Sequence, residues 1–456
     1  MARSNSFTTS KSERLSYGLY AFGAILSYYL IMSYLQLYMT DIGISAIAVG
    51  FIFMLAKVWD AVNDPIFGIL VDKLNPKGGK YKTWLKIATI AIPLSTILLF
   101  IIPSELSIQV KIIWSTLAYV VWDTSYTMYD VPFNAIVTSM TEDIHERNKL
   151  YSIGGFCVYL GALIVAITVP MLFPNIGWGA TGALVALLCF VSMIPLNIKC
   201  KERFTGSAEK EISVKDIIMS LLHNKYLLIF TLCNCIGGVT NFAMVLNGYF
   251  AIHCLGGEQW ITPLALTTAV PVLAVVLFIP SLLKKVDKFI AAMATRIISI
   301  GIDLLIFSLG YKNIALLLTL IVIKNIFSAV WSVSTIMFLA DCVEYGQFKN
   351  GDRAQGIAFS TKAFTNKLIV ALTGAFAMFG LAAYGFIAGT GVTQSQQTID
   401  GIWFLYSFFP IIGSLIAVAI FLIFYKLRDK DVQLMIKVNN GEITREEAEK
   451  LFVKKF

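Results

Sequence analysis

Four side chains in one apolar stretch have types and spacing suited to chemistry. They lie in Lys57-Val58-Trp59-Asp60-Ala61-Val62-Asn63-Asp64-Pro65. Lys57, Asp60 and Asp64 are spaced i, i+3 and i+7, so as a helix they form one stripe. The run from about Ala46 to Val71 is long enough to cross a bilayer. A carboxylate at mid-membrane costs roughly 3 kcal/mol on insertion scales, so that face must line a polar cavity or meet a cation. A second apolar run carries Asp123, Tyr126, Thr127 and Asp130 on one broad face, followed by Asn134. Carboxylates beside a hydroxyl and an amide are hard oxygen ligands, suited to Na⁺ or H⁺. Asp60, Asp64, Asn63 and Thr127 supply that set. Two close carboxylates repel, and a bound cation relieves the repulsion, which is a physical basis for coupling. Asp130 and Tyr126 can hydrogen-bond substrate hydroxyls, and Tyr126 also offers an aromatic face.

Other charged residues fall inside apolar runs. Lys367 can donate to a polar substrate or balance the carboxylates. Arg296, Asp303 and Lys324, like Asp123, could equally be helix-packing ion pairs, and Lys57 could simply pair with Asp60 or Asp64. Asp341, Glu344 and Arg353 lie near a span end and read as a gate or charge network, or as a solvated helix end.

The elements that must position these groups are membrane helices. Of 456 residues, 57% are hydrophobic and 14% charged, and the mean hydropathy is +0.75. That is too apolar for a soluble domain of this size. About twelve spans start near Tyr17, Ala46, Trp84, Lys111, Tyr151, Trp178, Tyr226, Thr262, Phe289, Ile314, Ile357 and Ile402. Met1 to Arg14 is polar and is not a cleavable signal peptide. Lys and Arg concentrate in alternate loops, at Lys73–Lys82, Arg147 and Lys149, Lys199–Lys225, Lys284 and Lys285, Lys349 and Arg353, and Lys426–Lys430. The positive-inside rule then places both termini in the cytoplasm of a plasma-membrane protein. The formal charge of +8 is thus a topology signal, and nucleic-acid binding is not expected.

The longest charged interruption divides six spans from six. The expected organisation is a bundle over 1–198, a cytoplasmic loop over 199–225, a second bundle over 226–426 and a cytoplasmic tail over 427–456. Thr444-x-x-Glu447 predicts a capping box that opens a short helix to about Phe452. Seven Cys and three scattered His form no metal or disulfide framework, and no GxSxG, HExxH or Walker sequence is present. An enzyme and a cofactor are therefore not expected.

Several segments resemble one family: Arg14-Leu-Ser-Tyr-Gly-Leu-Tyr-Ala-Phe-Gly23, Trp59-Asp-Ala-Val-Asn-Asp-Pro65, Gly79-Lys-Tyr-Lys-Thr-Trp84, Tyr126-Thr-Met-Tyr-Asp-Val-Pro-Phe133 and Asp341-Cys-Val-Glu-Tyr-Gly346. They are similar to the melibiose-permease-like glycoside–pentoside–hexuronide:cation symporters of the major facilitator superfamily. The resemblance implies an all-α membrane protein with twelve transmembrane helices in two six-helix bundles. It implies sugar uptake coupled to Na⁺, H⁺ or Li⁺ by alternating access. The protein is expected to act as a monomer. It assigns the cation to Asp60, Asp64 and Thr127, ion selectivity to Asn63, and sugar contacts to Asp130, Tyr126 and Lys367. The chain departs from the pattern at Ile25, Asn134 and Gly155, where the family has an aspartate, an aromatic and an arginine. The cation set is thus better matched than the sugar set. An uncoupled facilitator and a membrane sensor on a transporter fold remain alternatives.

Overall fold

The computed structural model describes residues 8–74, 76, 78–204, 214–276, 278–283, 286–351 and 354–453. Arg3, Lys77, Lys210, Lys284, Lys285 and Arg353 lie outside the described residues, as does the middle of the expected central loop. The described chain is helical throughout and forms two compact units, Met1–Glu209 with Gly385–Ser395, and Lys210–Tyr384 with Gln396–Phe456.

The first unit contains α1 (Lys11–Asp41), α2 (Ala46–Lys73), α3 (Lys82–Phe100), α4 (Ile108–Met140) and α5 (Ile144–Lys199). The long apolar runs become helices because a chain in hydrocarbon must satisfy its backbone polar groups internally. Serine caps set two of the starts, Ser45 accepting from the Ala48 N–H and Ser107 from the Val110 N–H. The 56 residues of α5 comprise two helices that meet at Gly177, whose φ of 79° is left-handed and breaks the run. α1 packs along α5 at close range. A Cβ at Gly161 would collide with Ile25, so the missing side chain is what admits α1 there. Tyr17 stacks on Phe133 with ring centroids 4.4 Å apart. The Trp122 Nε1 donates to Ser27 Oγ at 2.9 Å, and Ser27 is 2.6 Å from Thr96 Oγ1. These contacts fix the rotation of α4 against α1 and α3.

The second unit contains α6 (Val214–His223), α7 (Lys225–Val239), α8 (Ala243–His253), α9 (Ile261–Val276), α10 (Ile279–Leu283), α11 (Lys288–Leu309), α12 (Ile314–Asn350), α13 (Gln355–Ala383), α14 (Gln396–Trp403), α15 (Phe409–Phe424), α16 (Asp429–Asn439) and α17 (Arg445–Leu451). Its core joins Tyr226, Phe230, Phe289, Phe338, Phe421 and Tyr425. The expected capping box is present, with Thr444 and Glu447 exchanging bonds at the start of α17.

Nine helices among the described residues are long and apolar enough to cross a membrane. The expected twelve spans count α5 twice and add α4 and the α9–α10 pair. Many large apolar side chains are exposed, among them Phe156, Leu187, Ile198 and Ile423. That is the surface a lipid-facing protein presents.

Candidate functional site

The site forms where α2 meets α4 within the first unit. Helical spacing places Lys57, Asp60 and Asp64 on one stripe of α2, and Asp123, Thr127 and Asp130 on one stripe of α4. Both stripes are interrupted by proline close to an aspartate, Pro65 after Asp64 and Pro132 after Asp130. Proline has no N–H, so it returns no helical bond to the carbonyl four residues earlier.

Lys57 Nζ lies 3.5 Å from Asp60 Oδ2 and 3.5 Å from Asp123 Oδ1. One ammonium therefore bridges a carboxylate of its own helix and one of α4. One turn further along, Thr127 Oγ1 donates to Asp64 Oδ1 at 3.0 Å, sharing that proton with the Asp123 carbonyl at 3.2 Å. Asn63 Nδ2 donates to Thr127 Oγ1 at 2.9 Å. Asp60, Asn63, Asp123 and Thr127 are all buried, while Asp64 is half-buried. The structure thus joins Asn63, Asp64 and Thr127 directly, and joins Asp60 to them through helix α2.

Asp60 and Asp123 face the ammonium of Lys57, and Asp64 lies one turn further along on Thr127. Asp123 Oδ2 is buried with no hydrogen-bond partner among the described residues. A desolvated, unanswered carboxylate oxygen is costly unless something positive reaches it. Among the described residues no three His, Cys, Asp or Glu side chains converge as a metal site. The donor set is carboxylate, hydroxyl and amide, which suits a monovalent ion or a proton rather than a transition metal.

The polar face continues along α4. Asn134 Nδ2 donates to the Asp130 carbonyl at 2.9 Å and to its Oδ1 at 3.3 Å. Asn134 therefore orients Asp130 and stands where an aromatic was expected. Tyr126 lies in an aromatic group, with ring centroids 5.1 Å from Tyr28, 5.2 Å from Trp122 and 5.0 Å from Tyr129. Its ring is half-buried and offers a platform beside Asp130. A Cβ at Gly155 would meet nothing within 4 Å, so the space of the missing arginine is open.

The remaining expected residues lie in the second unit. Lys367 is exposed on α13. Asp341 is buried and pairs with Lys288 at 2.7 Å, while Lys288 also reaches Asp429 at 2.9 Å. Asp341 is thus held in an ion network and is not a solvated helix end. Glu344 accepts from Asn439 Nδ2 of α16 at 3.0 Å. Arg353 lies outside the described residues.

The family model described as MFS/sugar transport protein matches residues 16–429. The chain belongs to this family. As a member of the MFS/sugar transport family it is a multi-pass membrane protein, and its family and relatives are transporters rather than enzymes. It is 30% identical to an isoprimeverose transporter of Lactiplantibacillus pentosus, over 91% of this chain and 88% of that one. It is 28% identical to the Bacillus subtilis symporter YjmB, over 92% and 93% of the two chains. The crystal structure of the nucleoside transporter NupG aligns with a TM-score of 0.65 at 13% identity, covering 90% of this chain and 99% of that one. At that identity the likeness establishes the major facilitator fold alone.

Sequence reasoning left Asp123, Arg296, Asp303 and Lys324 of this transport-family chain undecided between function and packing. Asp123 proves to be the cross-helix partner of Lys57. Its signal was present in the sequence, since it lies on the Thr127–Asp130 stripe. Arg296 was grouped with Asp303, but Asp303 pairs with Lys324 at 2.8 Å and Arg296 instead donates to Ser414 Oγ at 2.9 Å.

Proposed function

We propose that this chain is a plasma-membrane symporter that takes up a sugar-like solute with Na⁺ or H⁺ by alternating access. The observation that carries this reading is the α2–α4 cluster, in which Lys57 bridges Asp60 and Asp123 and, one turn on, hydrogen bonds join Asn63, Thr127 and Asp64. Asp123 Oδ2 is buried with no hydrogen-bond partner among the described residues, and a cation bound beside it relieves that cost. Asp64, Thr127 and Asn63 provide oxygen ligands for Na⁺, or a carboxylate for H⁺. Li⁺ is accommodated by the same chemistry.

Coupling follows from connectivity along α4. Thr127 contacts the ion ligands, and Asp130 and Tyr126 flank it within one turn. An ion bound at Asp64 fixes the Thr127 hydroxyl and steadies the stretch of α4 that presents Asp130 and Tyr126 to substrate. Each ligand then favours the arrangement the other requires, and the coupling must be reciprocal. Lys367 supplies a further polar contact, and both termini are cytoplasmic. The functional unit is the monomer.

The test is substrate affinity of the purified chain with and without Na⁺, across a range of pH. Affinity should rise with Na⁺ or with falling pH. Identical affinity in every condition removes the coupling claim.

One observation favours a second reading, an uncoupled facilitator. Lys57 already places a positive charge between Asp60 and Asp123, so an internal cation stands in part for an external one. Accumulation against a gradient in proteoliposomes separates the two. A facilitator equilibrates substrate and keeps that flux in Asp60→Asn, whereas a symporter loses accumulation.

A further inference from the structure

Lys57 stands between two carboxylates without closing on either. Its Nζ is 3.5 Å from Asp60 Oδ2 and 3.5 Å from Asp123 Oδ1. A closed ammonium–carboxylate contact is about 2.7–2.9 Å long. Ion pairs of the second unit reach that length, Lys288 with Asp341 at 2.7 Å and Lys324 with Asp303 at 2.8 Å. The Lys57 ammonium is thus held midway between α2 and α4.

The α4 side of this ammonium carries acceptors that nothing occupies. Asp123 Oδ2 and Tyr119 Oη are both buried with no hydrogen-bond partner among the described residues. Tyr119 and Asp123 are four residues apart, so they share one face of α4. Lys57 lies within electrostatic reach of both. The other titratable groups that act on Lys57 or Asp123 are Asp60 and Asp64 of α2 and Tyr28 of α1. Two dry, unbonded oxygens on one helix face are costly unless a donor reaches them.

The α2 side presents the opposite problem. Asp60 lies one turn before Asp64, whose carboxylate, with Thr127 and Asn63, forms the hydrogen-bonded end of the cluster. While the ammonium stands beside Asp60, a second cation on that carboxylate meets its repulsion. The ammonium must therefore withdraw as an external cation arrives, and the unoccupied acceptors lie on α4.

We infer that Asp123 and Tyr119 are positioning residues for the coupling ion, forming a receiving site to which the Lys57 ammonium withdraws when Na⁺ takes Asp60. Drawn to α4, the ammonium donates to Asp123 Oδ2 and Tyr119 Oη, and Asp60 turns to Na⁺ beside Asp64 and Thr127. The arriving ion thereby satisfies Asp123 by way of Lys57. When Na⁺ leaves, the ammonium returns midway and answers Asp60 again. This inference rests on the symport reading, since it takes Asp60 as an ion ligand, and it adds the residues that clear that ligand.

The experiment is a thermal-shift titration of the full chain in detergent with NaCl, at constant ionic strength against choline chloride. The melting temperature of wild type should rise with Na⁺. Asp123→Asn lets the ammonium close on Asp60, so the half-saturating Na⁺ concentration should rise at least tenfold. Tyr119→Phe removes one neutral acceptor and should give a smaller rise. Lys57→Gln added to Asp123→Asn removes the competing ammonium and should bring Na⁺ affinity back to within about threefold of wild type. No Na⁺ response in wild type overturns the inference, as does wild-type Na⁺ affinity in Asp123→Asn. A loss in Asp123→Asn that Lys57→Gln leaves unrestored marks Asp123 as a packing residue and overturns it too. Should Asp123→Asn fail to fold, Tyr119→Phe decides, and unchanged Na⁺ affinity there overturns the inference. The symport reading survives failure at Asp123 or Tyr119. It survives a missing Na⁺ response in wild type if substrate affinity still rises as pH falls.

Discussion

The α2–α4 cluster and a cavity of the second unit lined by Arg296 hold their charged side chains differently. On α2 and α4, Lys57 bridges two buried carboxylates, Asp60 and Asp123, at 3.5 Å each. At the cavity, Arg296 is hydrogen-bonded to Ser414 and feels the charge of Asp303 without forming an ion pair with it among the described residues. The contrast teaches that a buried ionisable group is informative through what it lacks. Asp303 and Lys324 neutralise one another and need no ligand to explain them. On α2 and α4 the unanswered carboxylate oxygen is Asp123 Oδ2, which is buried with no hydrogen-bond partner among the described residues.

The comparison is tested most severely at Lys57. Removing the ammonium takes from buried Asp60 and Asp123 the cation they share. Breaking one side of a buried pair costs about 3 kcal/mol or more. Lys57→Leu should therefore lower the melting temperature of the purified chain markedly, and adding Asp123→Leu should recover part of the loss. A double variant no more stable than Lys57→Leu alone shows that the two groups are not energetically coupled.

A smaller effect is expected at Thr127. Its hydroxyl accepts from Asn63 and donates to Asp64, so Thr127→Val keeps the shape and removes one hydrogen bond from each of them. The expected loss is about 1–2 kcal/mol. The comparison is sharpened by adding Na⁺. Wild type should be stabilised by the ion it binds, and Thr127→Val should show a reduced gain. An undiminished Na⁺ gain takes Thr127 out of the ion site.

Much of this was legible from local spacing. The Lys57–Asp60–Asp64 stripe follows from helical periodicity, and the α17 start follows from Thr444 and Glu447. Span positions follow from apolar run length, although α4 is too polar and α9–α10 too short to stand out as single apolar helices. Cross-helix pairing was not legible. Lys57 and Asp123 are 66 residues apart, and their meeting depends on how Trp122, Ser27 and Thr96 set the rotation of α4. The sequence could offer Asp303 to either Arg296 or Lys324, and only packing decides which cation is left over. At Gly155 the substitution was readable but its consequence was not, because open space is a property of the neighbours.

Arg296 provides the smallest expected change in stability, and that smallness is the point. Lys57→Leu strands two carboxylates, whereas Arg296→Gln strands none, since Ser414 keeps other chances to hydrogen-bond and Asp303 keeps Lys324. Removing a half-buried cation that forms no ion pair among the described residues also lifts a desolvation cost. The net effect on unfolding should stay within about 1 kcal/mol of wild type, as for substitutions that leave no group unpaired. The same melting measurement made for Lys57→Leu decides it. Comparable losses in the two variants would mean that Arg296 has a structural partner as strong as that of Lys57, and the contrast between the two regions would lose its meaning. A stable Arg296→Gln shows that Ser414 and Asp303 hold the guanidinium weakly, whereas Asp60 and Asp123 hold Lys57 tightly.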